Sequence, residues 1–128
     1  MRLLIVDDNG DVRGAIAEGL RRMGHEVATA ASGPEALERL NADAVDVAIL
    51  DIRMPGMDGL DVLRALKRAR HPVGIIMLTG QDDVEEAVQA HRLGADDYLA
   101  KPVRVADLDR LLMRVATAER RYPDEARA

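Results

Sequence analysis

Short apolar runs that stop abruptly at a polar residue constrain this chain more than any other feature. Residues 3–6 (LLIV) run into Asp7-Asp8, residues 47–50 (VAIL) into Asp51, residues 74–78 (GIIML) into Thr79-Gly80, and residues 98–100 (YLA) into Lys101-Pro102. A weaker run at 26–30 (EVATA) ends near Ser32-Gly33-Pro34. Runs that are apolar at every position, rather than at alternate ones, belong to strands buried on both faces of a parallel sheet.

Helical periods fill the intervals. Val12, Ile16, Leu20 and Met23 share one helical face, and Gly24 ends it. Ser32 and Glu35 have capping-box spacing, with Pro34 in the first turn before Leu37 and Leu40. Leu60, Leu63 and Leu66 outline a third helix opened by Asp58-Gly59, on which Lys67 reads as a solvated lysine. Asp82 and Glu85 repeat the capping-box spacing before Val84, Ala87 and Val88, with a stop at Gly94. Val105, Leu108, Leu111, Leu112 and Val115 mark a fifth helix, with Arg120 and Arg121 in its last turn and an end by Pro123. The expected fold is α/β: a doubly wound, five-stranded parallel sheet, (βα)5, with right-handed crossovers. A length of 128 residues suits one domain. It is placed at 1–121, with 122–128 as a polar tail or the start of a linker, where Tyr122 either packs on the last helix or is disordered.

Composition removes several classes of function. Absence of cysteine excludes disulfide scaffolds, thiolate metal sites and cysteine nucleophiles. With no Phe or Trp and a net charge of −5, the domain is not expected to bind nucleic acid directly. No apolar run approaches the ~20 residues of a spanning helix, and the first ten residues reach two acids too early for a signal peptide. The expectation is a cytoplasmic protein with no membrane partner. His25, His71 and His91 have no acidic partner at ligand spacing, and methionines 23, 54, 57, 77 and 113 read as packing residues.

The chemistry concentrates at the strand ends. In open α/β sheets the ligand crevice lies outside the carboxyl ends of the strands, where Asp7, Asp8, Asp51, Thr79 and Lys101 stand. Two carboxylates ~4 Å apart repel by about 4 kcal/mol at an effective dielectric near 20. If strands one and three are neighbours, the three acids converge and require raised pKa values or a cation. Hard oxygen donors without histidine or thiolate favour Mg²⁺. Adding the Thr79 hydroxyl and the Lys101 ammonium describes phosphoryl transfer onto an aspartate. Asp7 and Asp8 serve best as metal ligands, which leaves Asp51 as the acceptor. Lys67 and Lys101 are the only lysines among 18 basic residues. Position 101 keeps Lys in a chain that uses Arg almost everywhere, a slim ammonium rather than a planar fork to stand beside a phosphoryl group as a point charge.

The segments LLIVDDN (3–9), VAILDIRMPGMDGLDVL (47–63), IIMLTG (75–80) and GADDYLAKP (94–102) closely resemble the receiver domain of bacterial two-component response regulators, from Leu3 to about Val115. The resemblance implies strand order 2-1-3-4-5 and phosphorylation of Asp51 by a partner histidine kinase or histidine phosphotransfer protein. It implies Mg²⁺ ligated by Asp7, Asp51 and the backbone carbonyl of Arg53, with Asp8 acting mainly through water. Thr79 and Lys101 would bind phosphoryl oxygens, Lys101-Pro102 would be cis, and Gly80 would leave the approach open. Tyr98 would be a rotating switch that repacks the surface of the fourth helix, fifth strand and fifth helix toward a downstream output domain or protein. On that face a homodimer could form, with Asp96, Asp97, Arg110 and Arg114 as cross-dimer ion pairs. Arg53 and Gln81 occupy positions that tend to set the dephosphorylation rate in this family. Such a domain catalyses only its own phosphorylation and slow dephosphorylation. Val103 departs from the family's usual aromatic after Lys-Pro. The alternatives are a pseudo-receiver that signals without phosphate, and an aspartate-nucleophile phosphatase. The latter needs a second acid where Arg53 stands.

Overall fold

A computed structural model describes residues 1–80 and 82–124. Strands β1 (Arg2–Val6), β2 (Glu26–Ala30), β3 (Val47–Asp51), β4 (Gly74–Thr79) and β5 (Asp97–Ala100) alternate with helices α1 (Gly10–Arg22), α2 (Gly33–Ala42), α3 (Gly59–Arg68), α4 (Val84–Arg92) and α5 (Val105–Thr117). All pairings are parallel, in the order β2-β1-β3-β4-β5. The expected doubly wound architecture and strand order are both present.

Alternate side chains of the buried strands feed two cores, as the period of two requires. Leu4, Val6, Ala48, Leu50, Ile75 and Met77 pack with α2, α3 and α4. Leu3, Ile5, Val47, Ile49, Ile76 and Leu78 pack with α1 and α5. Central β3 and β4 are buried throughout, whereas edge strands β2 and β5 are partly exposed. That accounts for their weaker apolar runs.

Helix starts follow local chemistry, with exceptions. Asn9 caps α1 by accepting from the Asp11 and Val12 amides. Ser32 accepts from the Glu35 amide, but the Glu35 carboxylate returns to the Ala31 amide instead of Ser32, so only half of that expected box forms. A reciprocal box does open α3, between Asp58 and Asp61. The expected Asp82–Glu85 box is absent: α4 starts at Val84, and Asp83 at its N-cap makes no side-chain cap.

The end of α5 falls earlier than its charged last turn predicts. The helix stops at Thr117, so Arg120 and Arg121 lie beyond it. Both bind elsewhere: Arg120 donates to Asp96 and to the Val115 carbonyl, and Arg121 donates to the His91 and Ala95 carbonyls. Tyr122 lies against the α3–β4 turn instead of on α5, donating its hydroxyl to the His71 carbonyl at 3.1 Å. Lys67 is not solvated. It is fully buried, its ammonium has no hydrogen-bond partner among the described residues, and it lies 5.0 Å from the Tyr122 ring centroid. Met54 and Met77 are buried as expected, but Met23 and Met113 are exposed. Asp96 and Asp97 pair within the chain, with Arg120 and Arg114, and Arg110 pairs with Asp107. Residues 125–128 of the expected tail lie outside the described residues, as does Gln81.

Candidate functional site

Parallel register brings the strand ends level. Val6 pairs with Leu50, Asp51 with Leu78, and Thr79 with Ala100. Asp7 and Lys101 therefore leave β1 and β5 beside Asp51 and Thr79, the last residues of β3 and β4. Carboxylate oxygens of Asp7, Asp8 and Asp51 lie within 4.8 Å of one another, with Asp7 and Asp51 buried and Asp8 exposed. Lys101 Nζ bridges the two buried acids, at 2.9 Å from Asp7 Oδ2 and 3.2 Å from Asp51 Oδ2. The Lys101 amide donates to the Thr79 carbonyl at 2.7 Å, and the Lys101–Pro102 peptide is cis.

Backbone contacts fix these groups. The Asn9 amide donates to Asp7 Oδ1 at 2.9 Å, and Arg13 donates to the Asp7 carbonyl at 2.8 Å. The Arg53 amide lies 3.3 Å from Asp51 Oδ1. Gly59 is required by close approach: a Cβ there would stand 2.3 Å from the Asp51 carbonyl oxygen and 2.8 Å from Ile52 Cα. Only a bare backbone lets α3 start so near the site.

The electrostatics follow from burial and crowding. Desolvation, then the Asp7 charge, raises the Asp51 pKa to about 6, with Lys101 opposing both. Burial works against the Lys101 ammonium, but the hydrogen bond to Asp7 and the charges of Asp51 and Asp7 outweigh it and hold its pKa above the ordinary lysine value. Three carboxylate oxygens with one acid open to water form a hard, oxygen-only donor set, which fits Mg²⁺.

Asp83 is the site residue that sequence reasoning missed. Its Oδ2 accepts from the Gly80 amide at 2.8 Å, and its Oδ1 accepts from the Arg53 guanidinium at 2.7 Å. The Gly80 amide, followed by Arg53, holds its pKa below the usual carboxylate range despite desolvation. A Cβ on Gly80 would stand 2.8 Å from Asp83 Oδ2, so the space a side chain would enter is taken by this acid. The available signal was an aspartate three residues beyond the glycine that follows β4, and it does not single out a partner. Tyr98 is 53% exposed. It shares with Thr79, Asp83, Val84 and Val88 the lining of a cavity of about 180 Å³. The histidines stand apart from these residues, although His25 does have an acid in space, Asp109 at 2.8 Å.

Fold and acid cluster together define a receiver-type domain, and comparison with known proteins agrees. Residues 3–113 match the profile of the response regulator receiver domain, and the chain belongs to that family. It is 42% identical over 107 residues to the transcriptional regulatory protein PrrA of Mycobacterium tuberculosis, covering 84% of this chain and 46% of PrrA. It is 42% identical over 127 residues to the response regulator MprA of Mycobacterium leprae, covering 98% of this chain and 54% of MprA. The chain thus spans about half the length of these curated relatives. Among solved structures, the receiver domain of NtrX from Brucella abortus superimposes with a TM-score of 0.85 at 34% identity, covering 91% of this chain and 99% of that one. Chemotaxis protein CheY4 of Vibrio cholerae gives a TM-score of 0.82 at 34% identity, covering 89% and 97%. Among the described residues no helix is long and apolar enough to cross a membrane.

Proposed function

We propose that this domain is a phosphorylation-driven switch in two-component signalling, with Asp51 as phosphoacceptor. The observation that carries the reading is the buried Asp7–Lys101–Asp51 bridge beside exposed Asp8. An ammonium already shared by two acids is placed to take a share of phosphoryl charge as well. Asp7, Asp51 and the Arg53 carbonyl would ligate Mg²⁺, and Asp8 would act through water. When bound, the ion supplies positive charge that offsets the acids and the transferring oxygens.

In the transfer, an Asp51 carboxylate oxygen forms a bond to phosphorus. The phosphorus–nitrogen bond of a phosphohistidine donor breaks, and its electron pair stays on the imidazole nitrogen. Lys101 exchanges part of its contact with Asp51 for a phosphoryl oxygen, and Thr79 donates its hydroxyl to another. Positioning and charge neutralisation do the catalytic work. The donor is a histidine kinase or histidine phosphotransfer protein. Movement of Thr79 opens the cavity to Tyr98 and repacks the α4–β5–α5 surface, which an output domain or protein reads. The domain turns over only its own phosphoryl group, and the cytoplasm, where such donors work, is its expected compartment.

Beryllofluoride with Mg²⁺ imitates the phosphorylated aspartate and tests the reading. Wild-type amide resonances at Thr79, Gly80 and Tyr98 should shift, and those of Asp51→Ala should not. An equal shift in Asp51→Ala, or none in wild type, would overturn it.

A further inference from the structure

Asp83 stands where a helix cap is expected and caps nothing. An aspartate at the N-cap ordinarily accepts the amide of the second or third helical residue, and the first amides of a helix lack other partners. Here both carboxylate oxygens are committed to other groups. One holds the Gly80 amide at 2.8 Å. The other receives the Arg53 guanidinium twice, from Nη2 at 2.7 Å and from Nε at 3.1 Å. Arg53 Nη2 also reaches Glu86 Oε1 at 2.6 Å, one turn into α4. The guanidinium is 64% exposed, whereas the Asp83 side chain is 10% exposed. The strong end of the contact is the shielded acid.

These contacts join three segments. Arg53 lies two residues past Asp51, Gly80 follows Thr79, and Asp83 with Glu86 begins α4. Among the described residues, Arg53 by contact and Lys101 by its charge are the cations that act on Asp83. We propose that Arg53, Asp83 and Glu86 form a latch, in which Asp83 is a positioning residue holding the Thr79–Gly80 turn in its resting place. A phosphoryl group on Asp51 opens the latch by drawing Arg53 and Lys101 away from Asp83. The inference rests on the phosphoacceptor reading above. The released carboxylate then caps α4, so one acid stabilises either of two arrangements, and phosphorylation shifts the population between them.

A latch that opposes the switched state makes a distinctive prediction: weakening it improves the response, which damage to the fold does not do. The full chain, labelled with ¹⁵N and saturated with Mg²⁺, is titrated with beryllofluoride while the Gly80 and α4 amides are followed. Glu86→Gln lowers the beryllofluoride midpoint about two- to fivefold, the range of an exposed ion pair. Asp83→Asn lowers it about tenfold, as expected for a hydrogen-bonded charge. The double variant goes no further than Asp83→Asn alone, and Glu18→Gln, which breaks the comparable Arg22 pair on α1, changes nothing. In metal-free protein without beryllofluoride, both latch variants move the Gly80 amide toward the position it takes in switched wild type. Unchanged or raised midpoints in both variants would overturn the latch while wild type's own response keeps the phosphoacceptor reading. A wild type that does not respond would overturn both. Should Asp83→Asn fail to fold, Glu86→Gln alone decides the matter.

Discussion

Two buried ionisable side chains oppose the stability of this domain, and each has a measurable pH signature. Asp51 has a folded pKa of about 6 against 3.8 for a free aspartate, chiefly through burial. Between those values the folded chain binds more protons than the unfolded one, so stability is lost as pH rises through about 6. In metal-free protein at pH 7, Asp51→Asn should raise unfolding free energy by about 1–3 kcal/mol. The gain should vanish below about pH 4, as read by urea denaturation with a chelator. Lys67 has the opposite sign. Burial lowers its pKa from 10.5 to about 8, with Asp96 opposing and Arg120 and Arg121 reinforcing. The unfolded chain then binds more protons between about pH 8 and 10.5, and stability contributed at Lys67 rises with pH across that window. The Tyr122 ring centroid lies 5.0 Å from its ammonium, and a Cβ on Gly94 would stand 2.9 Å from Lys67 Cε. Lys67→Met should stabilise the protein at pH 7 by about 1–3 kcal/mol and flatten the rise above pH 8. A loss of stability in that variant would mean that the Tyr122 contact outweighs the buried charge.

At the scale of elements, what was legible in the sequence followed from local or periodic causes. Strands β1, β3 and β4 announce themselves because both faces are buried, and Asp7, Asp51 and Thr79 stood out because each ends such a run. Their convergence needed the strand order, which resemblance supplied and periodicity did not. The failures are tertiary overrides. Asp82 had the right spacing for a cap, but the Gly80 amide and Arg53 lie next to Asp83, and their claim on its carboxylate set the start of α4. Arg120 and Arg121 suit a helix dipole, yet Asp96 and the carbonyls of His91 and Ala95 bind them beyond the helix end. Lys67 looks like any lysine at the end of an amphipathic helix until a segment more than fifty residues later folds across it. Gly59 tests how closely an element boundary is tied to the site. Gly59→Ala should cost about 1–3 kcal/mol, because the new Cβ meets backbone at Asp51 and Ile52 and neither can retreat. Gly14→Ala, in α1 with nothing within 4 Å, should instead stabilise by about 0.5–1 kcal/mol. Urea midpoints of the two variants should move in opposite directions, and a loss in both would show that helical context, not the Asp51 carbonyl, governs position 59.

In the whole molecule the acids and the strap formed by residues 120–122, which follows α5, lie at opposite ends of the sheet. Asp7, Asp51, Thr79 and Lys101 occupy the carboxyl ends of the strands. Arg120, Arg121 and Tyr122 bind Asp96, His91, Ala95 and His71, which precede or flank the amino ends of β4 and β5. A strand of five or six residues at ~3.3 Å each separates the ends by roughly 15–20 Å, and the two groups share no partner among the described residues. Perturbations at such a distance add. Arg120 and Asp96 are each below a tenth exposed, and Asp96 Oδ2 also accepts the Ile75 amide at 2.8 Å. Arg120→Ala therefore leaves a buried carboxylate without its counter-charge and should cost about 3 kcal/mol. Combined with Asp51→Asn, the two free-energy changes should sum within ~0.5 kcal/mol. The beryllofluoride midpoint of Arg120→Ala at saturating Mg²⁺ should equal that of wild type, since neither Asp83 nor Lys101 has lost a contact. A shifted midpoint, or a sum that fails by more than ~1 kcal/mol, would mean that β4 and β5 transmit strain along their length. The strap would then belong to the switch and not only to the stability of the domain.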